Sequence, residues 1–331
     1  MSAVTPVERL PLDKKTESQL KRGDRVDERA GKRSALKGTK DKLTSKRATT
    51  ASIIIAILWT TPTLGLLITS FRPAELINGS GWWTIFANPG FTLDNYQQVL
   101  SGSATTVNLT QSFINSIAIT IPASIFPLVI ASLAAYAFAW IPFRGRNILF
   151  IGVFALQVVP IQMALVPLLK LFNKGLSIGG VNIFDGLNAG HSYGQIWIAH
   201  TIFALPLAIF LLHNFISEIP QELIEAARVD GAGHGQTFFR IVLPLAMPAI
   251  ASFAIFQFLW VWNDLLVALV FATDPTLGPI TKVLREITGN RGQDWYLLTS
   301  GAFVAMIVPL IVFFALQRFF VRGLLAGSTK G

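Results

Sequence analysis

Long apolar stretches alternate with shorter polar segments along most of this 331-residue chain. Six of the stretches hold about 20 residues or more with few charges, which is the length that an α-helix needs to cross a bilayer. They cover residues 51–70, 112–139, 148–172, 195–216, 245–272 and 297–320. The pattern therefore predicts an all-α, polytopic membrane protein with six transmembrane helices.

The amino-acid composition supports this prediction and argues against several other classes of protein. Hydrophobic residues make up 52% of the chain and charged residues only 14%, which is far from an ordinary soluble domain. The absence of cysteine excludes a disulfide framework and a thiolate metal site. The net charge is +9, but residues 1–50 alone contribute +7, because they hold 14 Lys/Arg and 7 Asp/Glu. A positive charge confined to one tail does not predict binding to nucleic acid.

The first 50 residues form a segment of their own. They are polar, mixed in charge and poor in aromatic residues, which predicts a disordered basic tail. The apolar stretch at 51–70 begins too far along the chain for a cleavable signal peptide, so we expect it to remain as the first span. The basic residues before this span either contact anionic lipid head groups or only fix its orientation.

The distribution of Lys and Arg predicts the orientation in the membrane. With the tail in the cytoplasm, 21 of the 27 basic residues fall on the cytoplasmic side, and both termini and the segment 217–243 do as well. Six basic residues fall on the opposite side: Arg72, Lys170, Lys174, Lys282, Arg285 and Arg291. Four regions follow: a disordered cytoplasmic tail (1–50), the first span with a long external loop (51–111), a transmembrane core (112–320) and a cytoplasmic C-terminal tail (321–331).

The polar segment 217–243 separates the fourth and fifth predicted spans. Pro220 suits the first turn of a helix, and residues 222–229 are mostly good helix formers. Glycine adopts backbone angles that other residues avoid, so we expect the helix to be broken by the glycines that follow. These are Gly231, Gly233 and Gly235. The prediction is a short helix, a flexible elbow and a second helical piece.

The short helix offers two features to a partner. An acidic face is predicted from three residues at helical spacing, Glu218, Glu222 and Glu225. Ala226 and Ala227 are small enough to let another protein surface approach closely. The alternative is a solvated linker, in which Glu225 pairs with Arg228 three residues later.

Polar residues and prolines interrupt two of the predicted spans. The third span contains Gln157, Pro160, Gln162 and Pro167. The fifth span contains Gln257, Trp260, Asn263 and Asp264, and three of these (257, 260 and 264) would share one helical face. Broken or charged spans need a water-lined cavity or a protein partner. The third-span residues therefore indicate a translocation path or a packing kink, and the fifth-span residues indicate a solute path or a subunit interface.

Several motifs in this chain resemble a known transporter family. Glu225-Ala-Ala, Asp230-Gly231 and the run from Ile241 to Pro244 resemble the EAA loop of permease subunits in binding-protein-dependent ABC importers. Residues 91–100, the element Trp262-Asn-Asp and residues 317–331 resemble segments of sugar permeases, the last of them the maltose and α-glucoside types. The resemblance covers about residues 62–331.

This resemblance implies a type I ABC importer permease core (MetI-like) in a bacterial or archaeal plasma (inner) membrane. The implied partners are a second permease subunit, two cytoplasmic ATPase subunits, an extracytoplasmic solute-binding protein, an oligosaccharide substrate and membrane lipid. ATP and Mg would bind to the ATPase subunits, and this chain would bind no cofactor. The segment 217–243 would couple to the ATPase through five residues, Glu225, Ala226, Ala227, Asp230 and Gly231.

Motifs of other functions are missing. No Gly-x-x-x-x-Gly-Lys-Ser/Thr sequence is present, so the chain has no P-loop for ATP phosphates. No ordered Ser/His/Asp set indicates an enzyme, and His200 and His213 lack the convergent spacing of metal ligands. A secondary transporter or a channel remains the alternative, since broken polar spans suit these proteins as well. Neither protein needs an ATPase-coupling loop.

Overall fold

The computed structural model describes residues 46–102, 108–187, 192–288 and 294–326, and most of this part is helical. The α-helices are α1 (Lys46–Ser70), α2 (Ala74–Gly79), α3 (Asp94–Ser101), α4 (Leu109–Trp140), α5 (Arg146–Ala155), α6 (Ile161–Lys174), α7 (Gly194–Ile216), α8 (Gln221–Val229), α9 (His234–Thr237), α10 (Leu243–Trp262), α11 (Leu266–Phe271), α12 (Ile280–Thr288) and α13 (Trp295–Ala326). Nearly all of the predicted N-terminal tail lies outside the described residues. Helix α13 continues six residues into the predicted C-terminal tail.

Within the described ranges, five helical stretches are long and apolar enough to cross a membrane. They are α1, α4, α7, the continuous stretch His234–Trp262, and the first 23 residues of α13. Helix α5 with its 3₁₀ extension and helix α6 form a bent pair, which makes six spans if the pair crosses the membrane as one. The sixfold pattern of the sequence is thus five continuous helices and one broken pair.

The predicted span at 148–172 is a bent pair of helices and not one straight helix. The helical axis bends by 104° between the stretches Arg146–Val158 and Ile161–Lys174. Pro160 has no amide proton and disfavours helical angles at the residue before it, and Val159 is accordingly extended at φ −71° and ψ 119°. Gln157 is exposed beside the bend. A break of this size is more than a packing kink, and in a membrane its free backbone groups need water or protein partners.

The predicted fifth span at 245–272 is also displaced. The helical stretch begins at His234, passes through a π-helix (Phe238–Val242) and ends at Trp262. Asp264 lies two residues before the separate helix α11, and its carboxylate accepts a hydrogen bond from the Ala268 amide in the first turn of that helix at 3.1 Å. The span therefore starts 11 residues earlier than predicted and ends in a break.

The chain divides after Gly65 into two compact units. In the first unit, the apolar side chains of α1 are exposed, and the Trp59 side chain reaches 82% exposure. A helix with an apolar surface all round suits lipid or another transmembrane helix.

The second unit is built on α4, which packs along α7 and α10. The side chains that α4 buries against these helices are mostly small, among them Ala123, Ala131, Ser132 and Ala135. Small residues let helix backbones approach closely, which is the usual basis of helix association in membranes.

A buried arginine organises the polypeptide before α4. The Arg72 side chain is 1% exposed, and its guanidinium donates to the Gly81 carbonyl (2.9 Å), the Ser80 hydroxyl (2.9 Å) and the Thr84 hydroxyl (3.1 Å). Asn95 of α3 donates to the Arg72 carbonyl at 2.9 Å. These bonds tie α2, the 3₁₀-helix Trp82–Phe86 and α3 together, and we call them the Arg72 clamp.

The segment between α11 and α13 is tied to the first half of α4. The Asn115 amide donates to the carbonyls of Thr276 (2.7 Å) and Gly278 (3.0 Å), and the Ile280 amide donates to the Ser116 hydroxyl. Tyr193 donates to the Asn115 side chain at 2.8 Å, and burial raises the pKa of its phenol, which keeps the proton in place. This end of α4 is opposite to the end that meets the segment 217–243.

Besides the short helices of the predicted external loop, helix α12 and a β-hairpin were not predicted. Helix α12 lies in the predicted loop 273–296 and is amphipathic: Ile280, Val283 and Ile287 are buried, whereas Arg285 and Glu286 are exposed. Strands β1 (Leu176–Ile178) and β2 (Val181–Phe184) form an antiparallel hairpin. Its turn is Gly179–Gly180, with φ of 60° and 83°, and two glycines between β-branched residues are a hairpin signal that the sequence does contain.

Candidate coupling segment and intramembrane polar cluster

The coupling segment, residues 217–243, contains α8, a glycine turn, α9 and the π-helix. Helix α8 ends in a Schellman motif, in which the Ala232 amide donates to the Ala227 carbonyl (2.9 Å) and the Gly231 amide to the Arg228 carbonyl (3.0 Å). These two bonds satisfy carbonyls at the end of the helix that otherwise lack partners. The turn after α8 is therefore hydrogen-bonded and not a loose elbow.

Only one of the three glycines needs an unusual backbone angle. Gly231 has φ +80°, the left-handed conformation that a Schellman motif requires, and no atom lies within 4 Å of the position that a Cβ would occupy. Gly233 has φ −75°, and Gly235 lies inside α9. The prediction that Gly231 breaks the helix is confirmed, whereas Gly233 and Gly235 do not depend on glycine for their backbone angles.

One face of the coupling segment is buried in the core of its own chain. Ile219 and Ile224 pack in a cluster with Tyr136 of α4, Leu212 of α7 and Phe238 of the π-helix. Ala227 is 6% exposed. The small Ala227 side chain therefore fits a site within this chain, and the expectation that it admits a partner surface is wrong for this residue.

The opposite face of α8 is open. Glu222, Glu225 and Ala226 are exposed, and Val229 is 87% exposed despite its apolar side chain. Leu223 is 44% exposed. The open face therefore combines two carboxylates with three apolar side chains, which is a composition suited to contact with another protein.

Two expectations about charges in this segment are corrected. Glu218 precedes α8, in the turn after α7, and so is not part of one helical acidic face with the other two glutamates. Glu225 accepts a hydrogen bond from Gln221 at 2.6 Å, and Arg228 donates to the Trp140 carbonyl at 3.3 Å. The pair of Glu225 with Arg228, which the linker alternative required, is therefore absent from the described contacts.

The coupling segment is fastened to two transmembrane helices. Arg228 reaches the last residue of α4, Trp140, whose indole in turn donates to the Ile216 carbonyl at the end of α7 (3.2 Å). Tyr136 of α4 hydrogen-bonds to His234 at 3.0 Å, just before the π-helix. The segment is thus joined to α4 on both sides of the glycine turn.

Within the membrane-spanning part, the four residues predicted to form a solute path or a subunit interface do not lie on one common face. Gln257 is buried, and its amide donates to the Ala123 carbonyl of α4 at 3.1 Å, so it is a helix–helix contact. Trp260 is partly buried with its ring edge-on to His200 of α7. Because the helix ends at Trp262, Asp264 does not continue the face of Gln257 and Trp260 as predicted.

Two polar residues lie at the break after α10, one of them exposed and the other largely buried. Asn263 is exposed and donates to the Leu259 carbonyl at 2.8 Å. The Asp264 side chain is 10% exposed, and its carboxylate lies 3.8 Å from Nε2 of the buried His200. Sequence patterns missed His200, because a lone histidine in an apolar helix is usually structural. Thr281 of α12 fixes the break by donating to the Asp264 carbonyl.

Comparison with known proteins agrees with this architecture. The model of the family "Binding-protein-dependent transport system inner membrane component" matches residues 127–325. A bacterial alginate ABC transporter in complex with an alginate pentasaccharide-bound periplasmic protein shares the fold, with a TM-score of 0.61 over 83% of this chain and 94% of the matched chain. At 16% identity this likeness concerns the fold alone.

Two relatives are much closer in sequence. The osmoprotective compounds uptake permease protein GgtD of Synechocystis sp. is 51% identical over 285 residues, which are 85% of this chain and 90% of that protein. The alpha-glucoside transport system permease protein AglG of Rhizobium meliloti is 52% identical over 252 residues, which are 76% of this chain and 63% of that protein. Neither relative supports the alternative of a secondary transporter or channel. Since the family match covers more than half of its length, this chain belongs to the inner-membrane components of binding-protein-dependent transport systems, as a multi-pass permease subunit of an ABC importer.

Proposed function

We propose that this chain is a permease subunit of an ATP-driven importer of carbohydrates, of the α-glucoside class. The observation that carries the proposal is the 52% identity with a permease named for alpha-glucoside transport. The partly buried Trp260 and the exposed Asn263 are compatible with sugars, whose rings stack on aromatic faces and whose hydroxyls bond to amides.

The importer would contain further subunits. A second permease would complete the translocation path, two ATPase subunits would bind ATP and Mg on the cytoplasmic side, and a solute-binding protein would deliver the sugar from outside. The chain itself would bind no cofactor and catalyse no reaction. Both of its termini and the coupling segment would lie in the cytoplasm, in keeping with the 21-to-6 distribution of its basic residues.

Coupling would work through the two faces of α8. The open face, with Glu225, Ala226 and Val229, would dock on the ATPase, while Ile224 and Ala227 keep the segment in the core. Arg228 and His234 would transmit a displacement to α4, through their bonds to Trp140 and Tyr136. ATP binding would then favour one of two arrangements of the spans, which is the physical content of alternating access.

Asn263 and Trp260 are the better candidates for contact with the solute. An exposed amide within a membrane-spanning region is unfavourable against lipid, so Asn263 would face a water-filled path or the second permease. Gln257 is not a candidate for contact with the solute, because its amide donates to the Ala123 carbonyl within this chain.

The proposal is tested by uptake in proteoliposomes. The chain is co-purified with its permease, ATPase and binding-protein partners, and the uptake of radiolabelled trehalose, an α-glucoside, is measured with ATP inside the vesicles. We expect uptake that requires ATP and that an excess of unlabelled α-glucoside reduces, whereas an amino acid does not. Uptake driven by an ion gradient without the ATPase would contradict the proposal, and so would ATP-dependent uptake of amino acids alone.

The adjacent alanines of α8 allow a matched test of its two faces. Ala227→Leu is expected to overfill a buried site and to lower the stability of the permease by about 1–3 kcal/mol, measured as thermal unfolding of the purified chain. Ala226→Leu adds the same side chain to the open face, and we expect normal stability but reduced co-purification of the ATPase. Equal effects of both substitutions on stability would show that the two faces are not distinct.

A further inference from the structure

The turn between α4 and α5 borders an open, basic cavity that the transport proposal does not use. Residues Pro142 to Ile148 line a cavity of about 630 Å³, and Arg144 and Arg146 are its two charged residues. Gly145 between them has φ +80°, a left-handed backbone angle at the turn, and the Arg146 guanidinium donates to the Ala139 carbonyl of α4 at 3.5 Å. The Arg144 side chain is exposed and that of Arg146 is partly buried.

The positive charge of this cavity is not balanced by the protein. The sequence contains no Asp or Glu between Asp94 and Asp185. Arg228 of the coupling segment adds a third cation close by, since it bonds to Trp140, two residues before the cavity. Among the described residues, no carboxylate forms an ion pair with any of these three arginines. Uncompensated guanidinium groups at one place are typical of sites for phosphate.

The position of the cavity indicates where such a phosphate comes from. Helix α5 continues directly from the turn with strongly exposed apolar side chains, Ile148 at 80% and Ile151 at 65%. The cavity therefore lies where the lipid-facing surface ends and the polar coupling segment begins, at the depth of phospholipid head groups. Helix α5 has no side-chain cap at its first turn, so its amides also point a positive partial charge to this place.

We propose that the turn Pro142–Ile148 binds the phosphate of an anionic phospholipid, through Arg144 and Arg146. Arg228 strengthens the field at this site but does not line the cavity. The acyl chains lie along Ile148 and Ile151 of α5. The bound lipid thus sits beside the attachment of the coupling segment to α4, and it neutralises the cations there.

The test measures lipids that stay bound to the purified permease. Native mass spectrometry compares phosphatidylglycerol with phosphatidylcholine, for the unchanged chain and for Arg144→Gln/Arg146→Gln. We expect a preference for phosphatidylglycerol, and its affinity falls about 30-fold in the double variant, because each basic residue near an anionic surface contributes roughly a fivefold factor. Arg144→Lys/Arg146→Lys retains the charge and is expected to recover most of the affinity.

Lys170→Gln/Lys174→Gln serves as the matched control, because it removes the same charge at the other end of the α5–α6 pair. We expect it to leave phosphatidylglycerol binding unchanged. The proposal is overturned if the two Gln pairs behave alike, or if phosphatidylcholine binds as well as phosphatidylglycerol. Displacement of the lipid by millimolar inorganic phosphate would instead assign the site to free phosphate. Unchanged lipid binding together with lost ATPase co-purification would assign the arginines to a protein contact.

Discussion

Replacing Gly231 by valine is expected to abolish solute uptake by the assembled importer, with a permease that still folds and inserts. Gly231 has φ +80°, which costs an ordinary L-residue about 1–2 kcal/mol and a β-branched residue more. No atom lies near its Cβ position, so the effect comes from the backbone alone. The Schellman bonds of Gly231 and Ala232 would be lost, and α8 would no longer be held at its angle to α9. Uptake should fall about tenfold or more, while ATP hydrolysis loses its stimulation by the loaded binding protein.

Two further substitutions make this prediction specific. Gly231→Asn should retain most of the uptake, because asparagine tolerates the left-handed conformation better than other residues with a side chain. Gly233→Val places the same side chain two residues later, where φ is −75° and the site is equally open, so it should change little. Wild-type uptake and stimulated hydrolysis in Gly231→Val would refute the coupling role of this turn.

Removing the Arg72 clamp is expected to be the most destabilising single change outside the transmembrane core. Arg72→Ala leaves the Gly81 carbonyl and the Ser80 and Thr84 hydroxyls without the guanidinium that now bonds to them. These acceptors are partly buried, and the loss of their charged donor costs about 1–3 kcal/mol, so the unfolding temperature should fall by roughly 5 °C. Light scattering and intrinsic fluorescence during a thermal ramp measure this shift.

Arg72→Lys should rescue little, because an ammonium group cannot reproduce the planar fork that reaches three acceptors. Arg285→Ala removes an exposed cation of α12 and is the control, with an expected change within about 0.5 kcal/mol. An equal effect of Arg72→Ala and Arg285→Ala would mean that the clamp is not a stabilising element.

The sequence predicts the parts of this fold that depend on hydrophobic length better than the parts that depend on individual hydrogen bonds. Apolar length alone indicates one stretch of the sequence for each span, since lipid demands about 20 apolar residues for each, but it does not give the ends of the fifth span. It does not locate their breaks: Pro160 signals that the third span is interrupted, but no pattern in the sequence gives the size of the bend, 104°. Likewise, the break at Asn263 follows from the bond of Asp264 to Ala268, which no periodic pattern contains.

In the candidate site too, the sequence shows which residue types are present but not their backbone angles or their burial. Glycines 231, 233 and 235 look equivalent in the sequence, and only the backbone shows that Gly231 alone is left-handed. Ala226 and Ala227 are indistinguishable by composition, yet they lie on opposite faces of α8, because a helix rotates by about 100° per residue. The buried Arg72 could not be found either, since its acceptors are backbone carbonyls and hydroxyls that follow it by 8 to 12 residues in the sequence.

The bonds of the coupling segment to α4 give this helix the mechanics of a lever. Thirteen residues separate Trp140, where Arg228 is attached, from Pro127, where the α4 helix has its nearest internal proline. At 1.5 Å per residue this arm is about 20 Å long. A rotation of about 10° at the attached end therefore moves the far end sideways by roughly 3.5 Å, slightly more than the diameter of a water molecule. A small angular change at the coupling segment would thus displace α4 near Pro127 by about the width of one water molecule.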